Sequence, residues 1–466
     1  MSTPFTLSPQ LGSADAGPVV VIGLGVAGRA VARALRDRSI AVIAAEDAAT
    51  EDHRALAAEV GVALLESPSE TELSVAIAGA VAVVPSPGVP HSHPCFALAD
   101  ASSVPVISEF DLAQLWDHRP LLAITGTDGK TTVTTMVTEM LRADGRNAVD
   151  AGNTDVPLVE AIDDPATEVF VVEASSFRLG RAQRFSPRVA TWLNWGPDHL
   201  DVHATLEEYE QAKARIWADL DTDAVAVLNL DDPVVARNRP GGTVWTFSTT
   251  QPADYELRRG ADGPELWGRG ERLLAVSELA RRLPHDLSNA LAAAATAEAY
   301  GAARPAVVSV LRSFSGLAHR VQEVATHGGI TFVNDSKATV PHAVAAAVRS
   351  YDAVVLIAGG RNKGLDLNEL TAEVASIRAV VAIGDSASEV EAAFADLVPV
   401  AVATSMDDAV RRAAEQATAG ETVLLSPGCA SFDWYENYGA RGDDFIRAVT
   451  EYIAARRATE AAGACS

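Results

Sequence analysis

Short aliphatic runs recur along nearly the whole chain, each passing into glycine or polar residues and most followed by a stretch with helical periodicity. Runs of this length bounded by turn residues predict buried parallel strands, and strands alternating with helices predict a doubly wound α/β fold. The first group comprises Pro18 to Ile22, a helix through Leu35, Ile40 to Ala44, and strands at Val81–Val84 and Val104–Ile107. A second group starts after Pro120 with Leu121 to Ile124 and continues through Val169–Val172, Val189–Asn194 and Ala224–Leu230. Its expected helices pass through Met136, Met140 and Leu141, cover Leu206–Leu220, and fill the alanine-rich Leu287–Tyr300. After Gly316 a third set of strands follows at Ile330–Val333, Ala353–Ile357, Ala379–Ile383, Val398–Val402 and Thr422–Leu425. The expected organisation is a tail over 1–16, domains over 17–118, 119–315 and 316–457, and a second tail over 458–466.

The chemistry sits where the strands end. Between the strand at Leu121 and its helix lies Gly126-Thr127-Asp128-Gly129-Lys130-Thr131-Thr132. A glycine turn there aims backbone N–H groups at an anion on a helix N-terminus. Lys130 would reach the outer phosphates of ATP, and the Thr131 hydroxyl would hold Mg²⁺. The full P-loop pattern has a glycine where Ile124 stands, so this is a shortened form. In the first domain Gly23-Leu24-Gly25-Val26-Ala27-Gly28 follows its strand directly, and Glu46-Asp47 ends the next one. That Rossmann-like pattern suits a nucleotide diphosphate, with an acidic residue near the ribose. It does not separate NAD from another nucleotide diphosphate, nor either from a turn needed only for helix–strand packing. The loop Ser86-Pro87-Gly88-Val89-Pro90 stands at a strand's C-terminal end, where ligands gather in such sheets.

Other strand ends add candidates. Glu173, opening Glu173-Ala174-Ser175-Ser176-Phe177, suits a Mg²⁺ ligand or a base, since Ser175 or Ser176 is available to cap the helix that follows. His199, flanked by Asp198 and Asp201, is equally a metal ligand or a core histidine on spacing alone. Lys213 reads, by helical pattern, as a solvated charge. In the third domain two lysines, Lys337 and Lys363, lie at separate strand ends, suited to a carboxylate or phosphate. Gly316 in Gly316-Leu317-Ala318-His319-Arg320 is placed as a hinge.

Composition narrows the partners. A net charge of −25 argues against nucleic acid and anionic membranes. The three cysteines, Cys95, Cys429 and Cys465, are too far apart for a zinc spacing or a disulfide framework, which fits a reducing cytoplasm. No apolar run reaches membrane-spanning length, and the first 16 residues lack a signal peptide's basic start and apolar core.

Taken together these residues resemble the Mur ligase family, the ATP-dependent amide-forming enzymes of peptidoglycan precursor synthesis, from about Pro18 to Ile453. Gly152-Asn153, Glu173 to Phe177, Asn334-Asp335-Ser336-Lys337-Ala338-Thr339 and Ser426-Pro427-Gly428-Cys429-Ala430-Ser431-Phe432-Asp433 look most like the members that add D-glutamate. The Asp-Asn-Pro-Arg signature of members that add a diamino acid is missing from the sequence. The resemblance implies a three-domain α/β fold, with Rossmann-like first and last domains and a P-loop-type central one. It places the ATP phosphates on Gly126 to Thr132, with Asn289 and Arg320 as adenine and phosphate contacts and Asp335 as a ribose contact. Mg²⁺, as two ions, would meet Thr131, Glu173, His199 and Lys213. Lys213 matches the lysine the family carbamylates with CO₂, turning an ammonium into an anionic carbamate that supports a metal. Lys337, Thr339, Lys363, Ser431 and Phe432 would hold D-glutamate. Asn153 and Ser175 would contact UDP-N-acetylmuramoyl-L-alanine, whose uridine diphosphate would lie on Gly23, Leu24, Gly25, Val26 and Gly28. Lys130, Glu173, His199 and Lys213 form the implied catalytic set, in a monomer acting on small molecules.

Rival readings remain defined by what they leave idle. An NAD-linked oxidoreductase gives Gly126 to Thr132 and Glu173 no role. A nucleotide-sensing protein without activity has no need of Lys130, Glu173, His199 and Lys213 together. An L-alanine-adding or folylpolyglutamate-type ligase fits less well with the serine-rich Ser426 to Asp433 segment.

Overall fold

The computed structural model describes residues 17–464 except 155, 199–201, 204 and 363, and does not describe the side chains of 342 and 460–464. The expected first tail, His199 and Lys363 thus lie outside the described residues. Two compact units divide at Phe314 and Ser315.

The first unit holds two sheets. A parallel four-stranded sheet has the order β3-β2-β1-β4, built from β1 (Val19–Ile22), β2 (Val42–Glu46), β3 (Ala63–Glu66) and β4 (Ala82–Pro85). Val19 to Ile22 are all buried, as expected of a central strand covered on both faces. The run Val104–Ile107, expected as a strand, contributes only a single parallel bridge between Val83 and Val106. Its Pro105 lacks an N–H and limits ladder pairing. The less apolar Ala63–Glu66 takes the edge instead.

The second sheet has nine strands in the order β13-β12-β11-β10-β9-β8-β5-β7-β6. Its parallel part is β5 (Leu121–Thr125), β6 (Ala148–Gly152), β7 (Val169–Glu173), β8 (Val189–Trp192), β9 (Val225–Asn229) and β10 (Thr243–Ser248). β11 (Tyr255–Gly260), β12 (Gly263–Gly268) and β13 (Glu271–Ala275) extend it as an antiparallel meander. β5 lies between β7 and β8, so the loop after β5 opens into the crevice beside both neighbouring strand ends. One continuous apolar cluster runs from Val19 and Leu35 through Phe110 to Trp192 and Leu228, so the two sheets share a core. Arg38 reinforces the junction, lying over the Trp116 ring and pairing with Asp163 at 2.6 Å. The expected long helix over Leu206–Leu220 is shorter: it spans Leu206–Ala214 and tightens to a 3₁₀ turn at Arg215–Trp217. There the Arg215 guanidinium turns back to the carbonyls of Leu179 and Ala182.

The second unit holds a six-stranded sheet, order β14-β15-β19-β16-β17-β18. Its strands are β14 (Gln322–His327), β15 (Ile330–Asn334), β16 (Val354–Gly359), β17 (Ile377–Ile383), β18 (Val400–Val402) and β19 (Thr422–Leu425). All pairings are parallel except that of β14 with β15. Separate apolar clusters cover its two faces. The helix Tyr438–Ala464 continues through most of the segment expected as a tail, because its alanines and arginines are strong helix formers.

Candidate active site

The loop after β5 is held open by its neighbours. Gly129 has φ 80°, and a Cβ there would meet Asn289 Oδ1 at 2.6 Å, so only glycine lets the loop and the helix Pro284–Ala299 approach this closely. Asn194 Oδ1 accepts the backbone N–H groups of Thr127 and Asp128, both at 2.9 Å, and its amide donates to the Asp128 carbonyl at 3.1 Å. Lys130 folds back to donate to the Gly126 and Thr127 carbonyls, each at 2.8 Å. Those contacts keep a half-buried ammonium satisfied at the loop's mouth, and an incoming phosphate is a stronger, charged acceptor.

Beside the loop, Glu173 closes β7 and is 2% exposed. Its carboxylate accepts the Thr131 hydroxyl at 2.6 Å and the Asn153 amide at 2.9 Å. Gly152 has φ 98°, and a Cβ there would strike the Glu173 carbonyl at 2.5 Å, which explains the glycine before Asn153. Thr131 and Glu173 therefore offer adjacent hard oxygen donors next to a phosphate loop. That is the donor set Mg²⁺ takes when phosphates and water complete its shell. Among the described residues, no group of three or more His, Cys, Asp or Glu side chains could hold a metal alone. Ser175, available as a cap, stands at the N-cap of the helix Ser176–Leu179 but does not cap it with its side chain: its buried hydroxyl meets no hydrogen-bond partner. A buried hydroxyl in that condition two residues past Glu173 is available to a ligand.

Lys213 overturns the reading from helical pattern. It is 1% exposed, donates to the Gly126 carbonyl at 2.7 Å, and its Nζ lies 4.5 Å from the centre of the Tyr209 ring. Burial, then the positive charge of Lys130, drive its ammonium well below the ordinary 10.5, against the pull of Asp198, Asp128 and Glu173. Periodicity missed this because the burying face is formed by the phosphate loop, far away in sequence. Tyr209 is fully buried and shares a 3.1 Å hydrogen bond with the Thr127 hydroxyl. His203, 3% exposed, meets Ser176 Oγ at 3.0 Å and stacks on Phe177.

The glycine motif after β1 borders a separate cleft of about 430 Å³, lined by Gly23, Gly25, Val26, Glu46, Asp47, the Ser86–Pro90 loop and others. Gly23 has φ 81°, and a Cβ on Gly28 would lie 1.9 Å from the Gly23 carbonyl, so Gly28 permits the helix Val26–Asp37 to pack. Ser86 Oγ donates to that same carbonyl at 2.7 Å. Glu46 is not left free for a ribose: its carboxylate accepts the Leu24 N–H at 2.7 Å. Val26 stays 65% exposed at the helix start.

In the second unit the named residues that are described follow β15 and β19, with Arg320 just before β14. Asp335 is 6% exposed, accepts the Val321 N–H at 3.2 Å and the Ser426 hydroxyl at 2.8 Å, and burial pushes its carboxyl up to about 7. Arg320 Nε is buried without a hydrogen-bond partner. Lys337 lies with its Nζ 5.2 Å from the Tyr438 ring centre, Thr339 is half-buried, Ser431 is buried, and Phe432 is 54% exposed. Arg441, which the sequence did not flag, is 1% exposed and donates to the Ser336 and Cys429 carbonyls at 2.9 and 3.1 Å. It ties the β15 and β19 loops together. Asn194 was likewise legible only as the end of a strand. Its position opposite a glycine-rich loop is the signal that a paired reading of strand ends could have used.

A family model described as Mur ligase middle domain matches residues 124–297, and one described as Mur ligase, glutamate ligase domain, matches 319–429. The chain is similar to the UDP-N-acetylmuramoylalanine–D-glutamate ligase of Frankia casuarinae, at 42% identity over 93% of this chain and 93% of that one. It is 39% identical to the enzyme of the same name from Methylococcus capsulatus, over 92% of this chain and 94% of the relative. Among solved structures, the UDP-N-acetylmuramate–alanine ligase of Thermotoga maritima shares the fold with a TM-score of 0.54 at 18% identity, covering 94% of this chain and 100% of that one. A pseudomurein peptide ligase type C from Methanothermus fervidus does so with a TM-score of 0.51, also at 18% identity, over 92% and 99%.

Proposed function

The chain belongs to the Mur ligase family, and from that premise we propose that it is an ATP-dependent ligase joining D-glutamate to UDP-N-acetylmuramoyl-L-alanine in peptidoglycan precursor synthesis. The relatives at 42% and 39% identity, matched over more than nine-tenths of each chain, carry the assignment. The observation that carries the chemistry is Lys130, Thr131 and Glu173 meeting around one glycine loop.

Amide formation from a carboxylate needs an activated acyl group. Transfer of the γ-phosphoryl group from ATP to the L-alanyl carboxylate gives an acyl phosphate and ADP. The D-glutamate amine then attacks, and the tetrahedral intermediate collapses with loss of phosphate. Lys130 leaves the loop carbonyls for the outer phosphates, and the backbone N–H groups at the start of the helix Lys130–Ala143 meet the inner ones. Asn194 holds that loop in its binding shape. Asn153 and the free Ser175 hydroxyl lie beside Glu173, where the acyl end of the substrate is assigned. Thr131 and Glu173 would hold Mg²⁺, which would supply neutralisation of phosphate charge there. His199 is assigned to a second ion.

Lys213 supports a further step of preparation. An amine attacks CO₂ only as the free base, forming an N–C bond and releasing a proton. The depressed ammonium of Lys213 therefore favours a carbamate there, whose negative charge serves a cation near the phosphates. Arg320, Asp335 and Asn289 are assigned to the nucleotide. D-glutamate is assigned to Lys337, Thr339, Lys363, Ser431 and Phe432 of the second unit. Cys95 and Cys429 are buried free thiols, which suits the cytoplasm.

Phosphate release tests the reading. With ATP, Mg²⁺ and UDP-N-acetylmuramoyl-L-alanine present, D-glutamate is expected to trigger release, while L-glutamate, L-alanine and L-lysine are not. Release with L-alanine or L-lysine instead would reassign the amino acid.

A further inference from the structure

Asp128 stands inside the phosphate loop, one residue before Gly129, which is the N-cap of the helix Lys130–Ala143. That helix has no side-chain cap and no acidic residue in its first turn, so its positive end lies open to an anion. Asp128 itself is exposed. Both of its hydrogen bonds are made by its backbone with the Asn194 side chain, and its carboxylate has neither a hydrogen bond nor an ion pair among the described residues. The negative charge of Asp128 is nonetheless felt at the Lys213 ammonium and the Tyr209 phenol, as is that of Asp198. Tyr209 is hydrogen-bonded to Thr127, and Lys213 to the Gly126 carbonyl, so both groups lie against the loop itself.

An unpaired acid at this place conflicts with the most highly charged part of the ligand. Lys130 and the open helix end attract metal-free ATP at least as strongly as its Mg²⁺ complex, because the metal-free form is the more negative. A carboxylate acts in the opposite sense. Chelated Mg²⁺ cancels about half of the triphosphate's negative charge, so a nearby carboxylate repels the metal-free nucleotide about twice as strongly. Glu173 also repels phosphate, but it is buried against Thr131 in the donor set suited to Mg²⁺, so its charge serves the metal. Asp128 is outside that pair.

We propose that Asp128 is a specificity-determining residue whose charge excludes metal-free ATP from the phosphate loop and leaves the Mg²⁺ complex as the nucleotide admitted. The inference rests on ATP as the ligand of this loop and is independent of the amino-acid and UDP-substrate assignments. Metal-free ATP held there would block the site, since no cation would join its phosphates to Thr131 and Glu173.

The test uses Asp128→Asn, which keeps the shape and removes the charge, and Asp128→Glu, which keeps the charge. Because Asp128 is exposed and is bonded through its backbone, neither change disturbs a side-chain contact. Calorimetry gives dissociation constants for ATP in EDTA and for ATP with saturating Mg²⁺, without the other substrates, at low and high salt. Asp128→Asn is expected to bind metal-free ATP roughly five- to tenfold more tightly, with the Mg²⁺ complex changed less than about twofold. Asp128→Glu should keep the wild-type ratio of the two constants, and added salt should shrink the difference between wild type and Asp128→Asn. An unchanged ratio in Asp128→Asn would make Asp128 a solvated surface charge and overturn the proposal. Weaker binding of the Mg²⁺ complex with metal-free ATP unaffected would overturn it too, because that result marks a metal ligand and not an excluding charge. Failure of the wild-type protein to bind ATP with Mg²⁺ would overturn this inference and the nucleotide reading together. A ratio governed by Asp128 in a protein that does not respond to D-glutamate would support the inference and refute only the amino-acid assignment.

Discussion

Lys213 shows at single-residue scale how much chemistry a sequence hides. Its ammonium is depressed by burial and by Lys130, so between its folded value and the ordinary 10.5 the unfolded chain binds a proton that the folded chain does not. Stability contributed by this group therefore rises with pH across that window, and at neutral pH the lysine is a net cost. The K213M variant is expected to melt no lower than the wild type at pH 7, to show a flatter dependence of melting temperature on pH, and to lose roughly 100-fold or more in kcat/KM. Purging CO₂ should lower wild-type activity and bicarbonate should restore it; neither should change K213M. Calorimetry over pH and steady-state rates check each part. A K213M protein with wild-type rates would remove Lys213 from the mechanism. The spacing of Lys213 on the helix expected over Leu206–Leu220 disclosed nothing of its enclosure by Gly126 and Tyr209.

Elements were read more securely than single residues. The strand–loop–helix units at Val19 and Leu121 appear as expected, since each couples an unbroken buried run to a glycine turn. The antiparallel β11 to β13 went unread because Tyr255–Gly260 and Gly263–Gly268 carry mixed polar and apolar positions with glycines at their ends. Their place is fixed by pairing onto β10, which local pattern does not encode. The loop after β5 is the element on which the site depends, and Gly129 is its most constrained point. In G129A the left-handed φ costs about 1–2 kcal/mol and the new Cβ collides with Asn289, so the loop must shift. KM for ATP should rise on the order of tenfold or more, with KM for the UDP substrate little changed. Equal increases in both would show that the cleft and the phosphate loop are not separate sites.

At the scale of the molecule, the two units differ in what holds them together. Residues through Phe314 share one core across two sheets, whereas Ser315 onward has its own six strands covered on both faces. The segment 315–466, expressed alone, is therefore expected to melt cooperatively while releasing no phosphate from ATP, because Lys130, Glu173 and Lys213 are all in the other unit. Non-cooperative melting would mean that its core needs the rest of the chain. Carboxylate activation at the phosphate loop is the central step of the reaction. Its most direct measurement follows ¹⁸O from the L-alanyl carboxylate of UDP-N-acetylmuramoyl-L-alanine during D-glutamate-dependent turnover. An acyl phosphate predicts one labelled oxygen in each phosphate released, and no turnover in K130A. Phosphate carrying no label from an active enzyme would contradict the mechanism.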